Sequence, residues 1–200
     1  MDITVVALAF AAIFVVELPD KTFLATLVLS TKYRPIFVWL GVGAAFAVQT
    51  LIAVAIGGVA TLLPTDLVHV VAALLFLGGA VFLFIEGRRH HGIASEDDGS
   101  EFAEKAKDVR GFRQVLASFM VLFAAEWGDL SQLLSVSLVA RYHDPVSVFI
   151  GSWAALLAVS GLAVLLGRTL LRFIKLHVLH YVGAAVCLVL GILTLVEVFA

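Results

Sequence analysis

Cysteine is almost missing from this 200-residue chain: the single one, Cys187, lies in an apolar run, which excludes an intramolecular disulfide and leaves the redox compartment open. Charge is scarce as well. Only 14% of residues are Asp, Glu, Lys or Arg while 62% are hydrophobic, too little polar surface to cover a soluble domain. The net charge of -2 carries no excess of basic residues, so no nucleic-acid partner is expected. Met1-Asp2 lacks the basic flank of a signal peptide, and the apolar stretch behind it is expected to stay as a first helix.

What the chain does have is long apolar runs. A hydrocarbon core of roughly 30 Å takes about 20 apolar residues per helix, and runs at 3–30, 36–63, 67–86, 114–140, 146–167 and 177–199 predict six membrane spans. The expected fold is an all-α integral membrane protein. Polar turns holding Pro35, Pro64 and Pro145 separate most spans, since the residue before a proline is biased away from helix. The long break from Gly87 to Arg113 is rich in charge and reads as a linker. This divides the chain into a first three-helix repeat (1–88), a linker (89–113) and a second three-helix repeat (114–200). Lys32, Arg34, Arg88, Arg89, Lys105, Lys107, Arg110, Arg113, Arg168, Arg172 and Lys175 fall on one side, against Arg141 on the other. The positive-inside rule then makes the 87–113 loop cytoplasmic and puts both termini outside.

The two halves align. Glu17-Leu18-Pro19-Asp20-Lys21-Thr22 matches Glu126-Trp127-Gly128-Asp129-Leu130-Ser131 at an offset of 109, as Lys32-Tyr33 matches Arg141-Tyr142. One inserted residue shifts the frame, after which Gly41 pairs with Gly151 and Thr50 with Ser160 at 110; His69 pairs with His180 and Glu86 with Glu197 at 111. Three spans per half force the copies to be inverted, a plan that places a transport site near the midplane where the repeats meet. The competing reading is chance likeness between apolar helices of limited alphabet.

Carboxylates inside spans are costly, roughly 2.5 to 3.5 kcal/mol each on the lenient insertion scale, and four of them, Glu17, Asp20, Glu126 and Asp129, lie inside the first and fourth runs. The i, i+3 spacing puts each pair on one helical face. Thr22, Ser131 and Gln132 offer neutral oxygens from the next turn, and Gln49 in the second span offers an amide oxygen or an interhelical hydrogen bond. Reaching a shared site requires local distortion, which Pro19 and Gly128 can provide. Oxygen donors without thiolates suit hard cations such as Ca²⁺, Mg²⁺ or Mn²⁺. Four neighbouring carboxylates repel, so some should hold protons that an arriving cation displaces. The structural alternative is an intrahelical Glu17–Lys21 ion pair, which leaves Glu126 and Asp129 without a local cation because Leu130 stands at the matching position. Thr50 and Ser160 are weaker candidates for lining the same path. Glu86, Glu197, His69, His180 and His90-His91 read as solvated helix ends or juxtamembrane residues, and Trp39, Trp127 and Trp153 as packing.

The duplicated motif resembles that of the Gdt-type cation exchanger family, which includes Golgi manganese/calcium transporters and bacterial manganese exporters. The likeness to its Glu-x-Gly-Asp-(Lys/Arg)-(Thr/Ser) pattern runs over essentially the whole chain, with Pro19 in place of Gly and Leu130 in place of the basic residue. It implies export of Mn²⁺, and of Ca²⁺ as a second candidate, against protons, with Glu17, Asp20, Glu126 and Asp129 as ligands and Thr22 and Ser131 in support. Lys21 would compensate charge in the empty site. No cofactor and no enzymatic activity are expected; the partners are the transported divalent ion and the lipid bilayer, and a bacterial inner membrane is the expected location. The rivals are a proton-coupled exporter of a small organic solute, an intramembrane enzyme with paired acids, which lacks any accompanying nucleophile–His pattern, and a non-transporting assembly subunit.

Overall fold

The computed structural model describes residues 1–18, 21–60, 62, 65–89, 109–173 and 176–199. Among them, helices run α1 (Ile3–Glu17), α2 (Lys21–Lys32), α3 (Pro35–Ala60), α4 (Thr65–Arg89), α5 (Arg113–Ala125), α6 (Leu130–Tyr142), α7 (Pro145–Phe173) and α8 (Leu176–Phe199). Pro35 and Pro145 open the two longest, at the position where a missing N–H costs nothing. Among the described residues, the stretches Pro35–Ala60 and Pro145–Leu165 are each long and apolar enough to cross a membrane, and α1 with α2 reaches that length and apolarity only when the bent pair is taken together. The distribution of polarity agrees with a lipid surround. Leu51, Val59, Val81, Phe82 and Val189 are exposed, whereas Glu17, Glu126, Thr22, Gln49 and Thr50 are buried.

The expected single helices at 3–30 and 114–140 are each two helices. The first pair bends by 71° between Ile3–Glu17 and Thr22–Lys32, and the second is interrupted from Glu126 to Asp129. Both interruptions fall on the duplicated motif. At the second, Gly128 takes φ +79°, a left-handed conformation that glycine alone among the residues of this segment enters without a Cβ penalty.

The halves interlock. α1 lies along α7 and α5 along α3; α2 meets α7 as α6 meets α3, and α3 and α7 cross each other in the middle. The crossings agree in atomic detail. A Cβ on Gly41 would stand 2.3 Å from the carbonyl oxygen of Val115 and 3.0 Å from Ser118 Cβ; one on Gly151 would stand 2.4 Å from that of Val6 and 2.9 Å from Ala9 Cβ. These pairs are related by the same offsets as the motifs, 110 on one side and 109 on the other. Phe10 stacks on Phe14 at 5.6 Å and Phe119 on Phe123 at 5.4 Å, again 109 apart. The residue inserted in the second copy falls at the α6–α7 turn, where His143 adopts φ 54° and donates its N–H to the Val139 carbonyl to cap α6.

α4 and α8 depart from this correspondence. They pack extensively on each other, and as a pair they lean on α6 through α4 and on α1 through α8. Exchanging the halves would turn these contacts into α8 on α2 and α4 on α5, and among the described residues neither is a substantial interface. The four half-length helices meet in two pairs, α1 with α6 and α2 with α5.

Candidate metal site

The two breaks face each other at the centre. Glu17 ends α1 at 0% exposure and Glu126 follows α5 at 2%, and one carboxylate oxygen from each, with one from the half-buried Asp129, lies within 4.8 Å of the others. That separation has chemical meaning. Two oxygens on opposite sides of a hard cation at about 2.4 Å are about 4.8 Å apart, so a Ca²⁺-sized or slightly smaller ion fits between these three with little movement. Without one, two ionised carboxylates 4.8 Å apart would repel by about 3.5 kcal/mol at an effective dielectric of about 20, and by more if closer.

The helix ends reinforce the arrangement. α1 and α5 present their C-terminal, partially negative ends to the site, which favours a cation, while α2 and α6 present their N-terminal ends, which favours carboxylates. Asp129 precedes α6 with extended backbone (φ -73°, ψ 165°) and makes no side-chain capping bond to it. Thr22, buried on α2, donates its hydroxyl hydrogen to Glu126 Oε1. The first motif thus touches the second directly.

The remaining sequence candidates fall in different places. Asp20 and Pro19 lie outside the described residues, and so does the side chain of Lys21. Ser131 is buried at the first turn of α6, where its carbonyl accepts the Ser135 hydroxyl at 2.9 Å. Gln132 uses its amide at the break: Nε2 donates to the Glu126 carbonyl at 2.8 Å, and Oε1 accepts the Gly128 N–H at 3.2 Å. Gln49 donates Nε2 to the Phe123 carbonyl at 2.9 Å, a group released from its helical partner by the same break. Thr50 and Ser160 are buried, and the Ser160 hydroxyl donates to the Leu157 carbonyl. Trp39 and Trp153 pack between helices, donating to the carbonyls of Leu157 and Gly43, while Trp127 faces outward at 64% exposure. The side chains of His69, Glu86, His180 and Glu197, and the His90-His91 pair, lie outside the described residues.

Sequence reasoning missed a second tier of hydroxyls. Thr26 is fully buried one turn beyond Thr22, and its oxygen has no hydrogen-bond partner among the described residues. One turn beyond Ser131, Ser135 donates to Ser131 and lies 3.2 Å from the Ser152 hydroxyl on α7. Thr26 and Ser135 are themselves 109 apart, so the repeat offset was the signal that could have found them. A cavity of about 330 Å³ opens beside the site between α4 and α6, bounded by Gly78, Gly79, Phe82, Gly128, Asp129 and Leu133.

Buried acids at facing helix breaks are an arrangement used at the binding sites of secondary transporters. The family model described as "Divalent cation/proton antiporter GDT1" matches residues 5–91 and 114–200, one segment in each half. The chain belongs to the GDT1 family. It is 31% identical to Protein PAM71-homolog, chloroplastic, of Arabidopsis thaliana over 96% of this chain and 59% of that protein. It is also 36% identical to GDT1-like protein sll0615 of Synechocystis over 64% of this chain and 66% of that protein. GDT1-like protein 5 of Arabidopsis thaliana is 27% identical and matches nearly end to end, at 94% and 93%. The chain spans 59% of the length of the first of these GDT1 relatives. No solved structure matches it. The GDT1 family is one of membrane transporters rather than enzymes.

Proposed function

We propose that this protein exports Mn²⁺, with Ca²⁺ as the second candidate, from the cytoplasm in exchange for protons. The observation that carries the reading is the convergence of Glu17, Glu126 and Asp129, one motif from each half, within 4.8 Å at the buried meeting point of two broken helices. Asp20 completes the carboxylate set by its place in the motif, Thr22, Ser131, Gln49 and Gln132 support it, and Lys21 balances charge when the site is empty. Protons held by the crowded carboxylates leave as the cation enters, so exchange follows from competition for one set of oxygens. The chain crosses the membrane six times in two inverted repeats, with the linker cytoplasmic. The equivalent crossings at Gly41 and Gly151 and the equivalent stacks at Phe10 and Phe119 support that plan.

Alternating access then falls to α4 and α8. Because α1 is locked on α7 and α5 on α3, one half moving rigidly against the other would tear the core. The α4–α8 pair instead leans on α1 and α6; in this reading those helices lie on the side away from the linker, so the packing corresponds to a site closed to the outside and open to the cytoplasm. Repeat symmetry supplies the opposite state, with α4 on α5 and α8 on α2.

The test is cation uptake into inverted vesicles or proteoliposomes under an imposed proton gradient, offering Mn²⁺, Ca²⁺ and Mg²⁺ to the native protein and to Glu17→Gln and Asp129→Asn. Gradient-dependent Mn²⁺ movement lost in both variants is the expected result. Failure of folded native protein to move any divalent ion overturns the reading and favours export of an organic solute.

A further inference from the structure

The two breaks leave different backbone groups to satisfy, and the chain meets that need in two ways. Where α5 stops, the Gly128 N–H and the Glu126 carbonyl lose the regular helical pattern at membrane depth, where an unsatisfied polar group is costly. Gln132 takes both. Its Oε1 accepts the Gly128 N–H at 3.2 Å and its Nε2 donates to the Glu126 carbonyl at 2.8 Å, beside the Asp129 N–H that donates to the same oxygen at 3.3 Å. In the first copy the residues 109 earlier are Pro19 and Phe23. A proline has no N–H to satisfy, and Phe23 has no amide to satisfy it with. The substitutions are matched: one copy deletes the donor, the other keeps it and supplies an acceptor. Proline, with φ fixed at about -65°, cannot adopt the φ of +79° that Gly128 takes.

We infer that Gln132 is a positioning residue, a two-point clasp that holds the Glu126 and Asp129 carboxylates in register across the break. This rests on the reading of those acids as the cation site. Both ends of the clasp bond to the backbone on either side of Trp127, so its release frees the dihedral angles of Glu126 to Gly128, on which the separation of the two carboxylates depends. Because the amide serves the backbone, its loss weakens the site for every divalent ion in the same proportion, whereas loss of a direct ligand changes the ranking of cations.

The experiment compares native protein with Gln132→Leu, Gln132→Glu and Phe23→Leu, each first shown to be folded by its thermal transition. One readout needs no transport: amide hydrogen exchange at Gly128, which should quicken about fivefold in Gln132→Leu if the one net hydrogen bond to its N–H is lost. Unchanged exchange overturns the clasp, whatever the protein transports. The second readout is the apparent KM for Mn²⁺, Ca²⁺ and Mg²⁺. Gln132→Leu should raise all three by a common factor, while Phe23→Leu leaves them near native. Protonated Glu at 132 can both donate and accept as Gln does, so Gln132→Glu should approach native behaviour at low pH and lose it as pH rises. A reordered cation preference in Gln132→Leu, or a Gln132→Glu variant whose pH profile matches the native one, refutes the positioning role. If the native protein moves no divalent ion while Gly128 exchange still depends on Gln132, the clasp stands and the transport reading falls.

Discussion

The crossings at Gly41 and Gly151 permit a quantitative test of the interlocked fold. An alanine Cβ at Gly41 would sit 2.3 Å from the Val115 carbonyl oxygen, and at Gly151 2.4 Å from that of Val6. Both obstacles are backbone on a packed helix, so the helices must separate by about an ångström, and overpacking of this kind costs about 3 kcal/mol. Alanine returns about 1 kcal/mol of helix propensity, leaving a net loss near 2 kcal/mol. For a chain of this size that lowers the melting temperature by about 4–8 °C. Gly58 is the control, because a Cβ there meets nothing within 4 Å and Gly58→Ala collects the propensity gain alone. The assay is thermal unfolding of purified protein in one detergent, followed by tryptophan fluorescence or size-exclusion recovery. Gly41→Ala and Gly151→Ala should fall together while Gly58→Ala holds or rises. If either crossing variant melts with the native protein, or the two differ by more than their scatter, the close and equivalent packing of α3 on α5 and α7 on α1 is refuted.

Three further outcomes are expected. Asp144, before the first residue of α7, is held at about 2 against an ordinary 3.8 by the Ser147 hydroxyl and the Ser147 N–H. A carboxyl lowered in the folded state stabilises above its unfolded pKa and loses that contribution as pH falls through the folded one, so Asp144→Asn should lower the melting temperature at pH 7 and converge on the native protein only as the pH drops below about 2. Thr22→Val removes the hydroxyl that reaches Glu126 and should lower Mn²⁺ transport, by about tenfold if a bond to a charged group is worth about 1.5 kcal/mol, while Thr22→Ser retains most of it. Cys187 is fully buried, so maleimide should modify it only as the protein unfolds; rapid labelling of native protein in lipid, read by mass, would contradict the packing of α8.

Much of this architecture was legible because membrane burial leaves a coarse signature. Apolar runs located the helices, and the offset of 109 drifting to 110 anticipated the paired crossings at Gly41 and Gly151. The cost of burying charge singled out Glu17, Asp20, Glu126 and Asp129; the fold brings Glu17, Glu126 and Asp129 together, while Asp20 lies outside the described residues. The breaks were less legible. Pro19 and Gly128 marked where the helices bend, but an apolar run reads the same whether its helix is straight or interrupted. The hydrogen-bonding partners of Thr22, Gln49 and Gln132 could not be read at all, because each depends on which backbone or carboxylate oxygen another element presents. Gln49 is the clearest case: its partner, the Phe123 carbonyl, becomes available only where α5 stops.

The interlock of α1 with α7 also sets a schedule for assembly. The groove on Gly151 that receives Val6 and Ala9 is made about 140 residues after them. At translation rates of about 5–20 residues per second the first helix must wait roughly 7 to 28 s in the bilayer for its partner. During that interval Glu17 has neither α5 nor α6 beside it, and the nascent half-molecule presents an acidic, incompletely packed surface to lipid. A protein built this way cannot assemble as two finished halves that later dock, so whatever attends its insertion must tolerate an exposed intramembrane carboxylate until the second motif arrives.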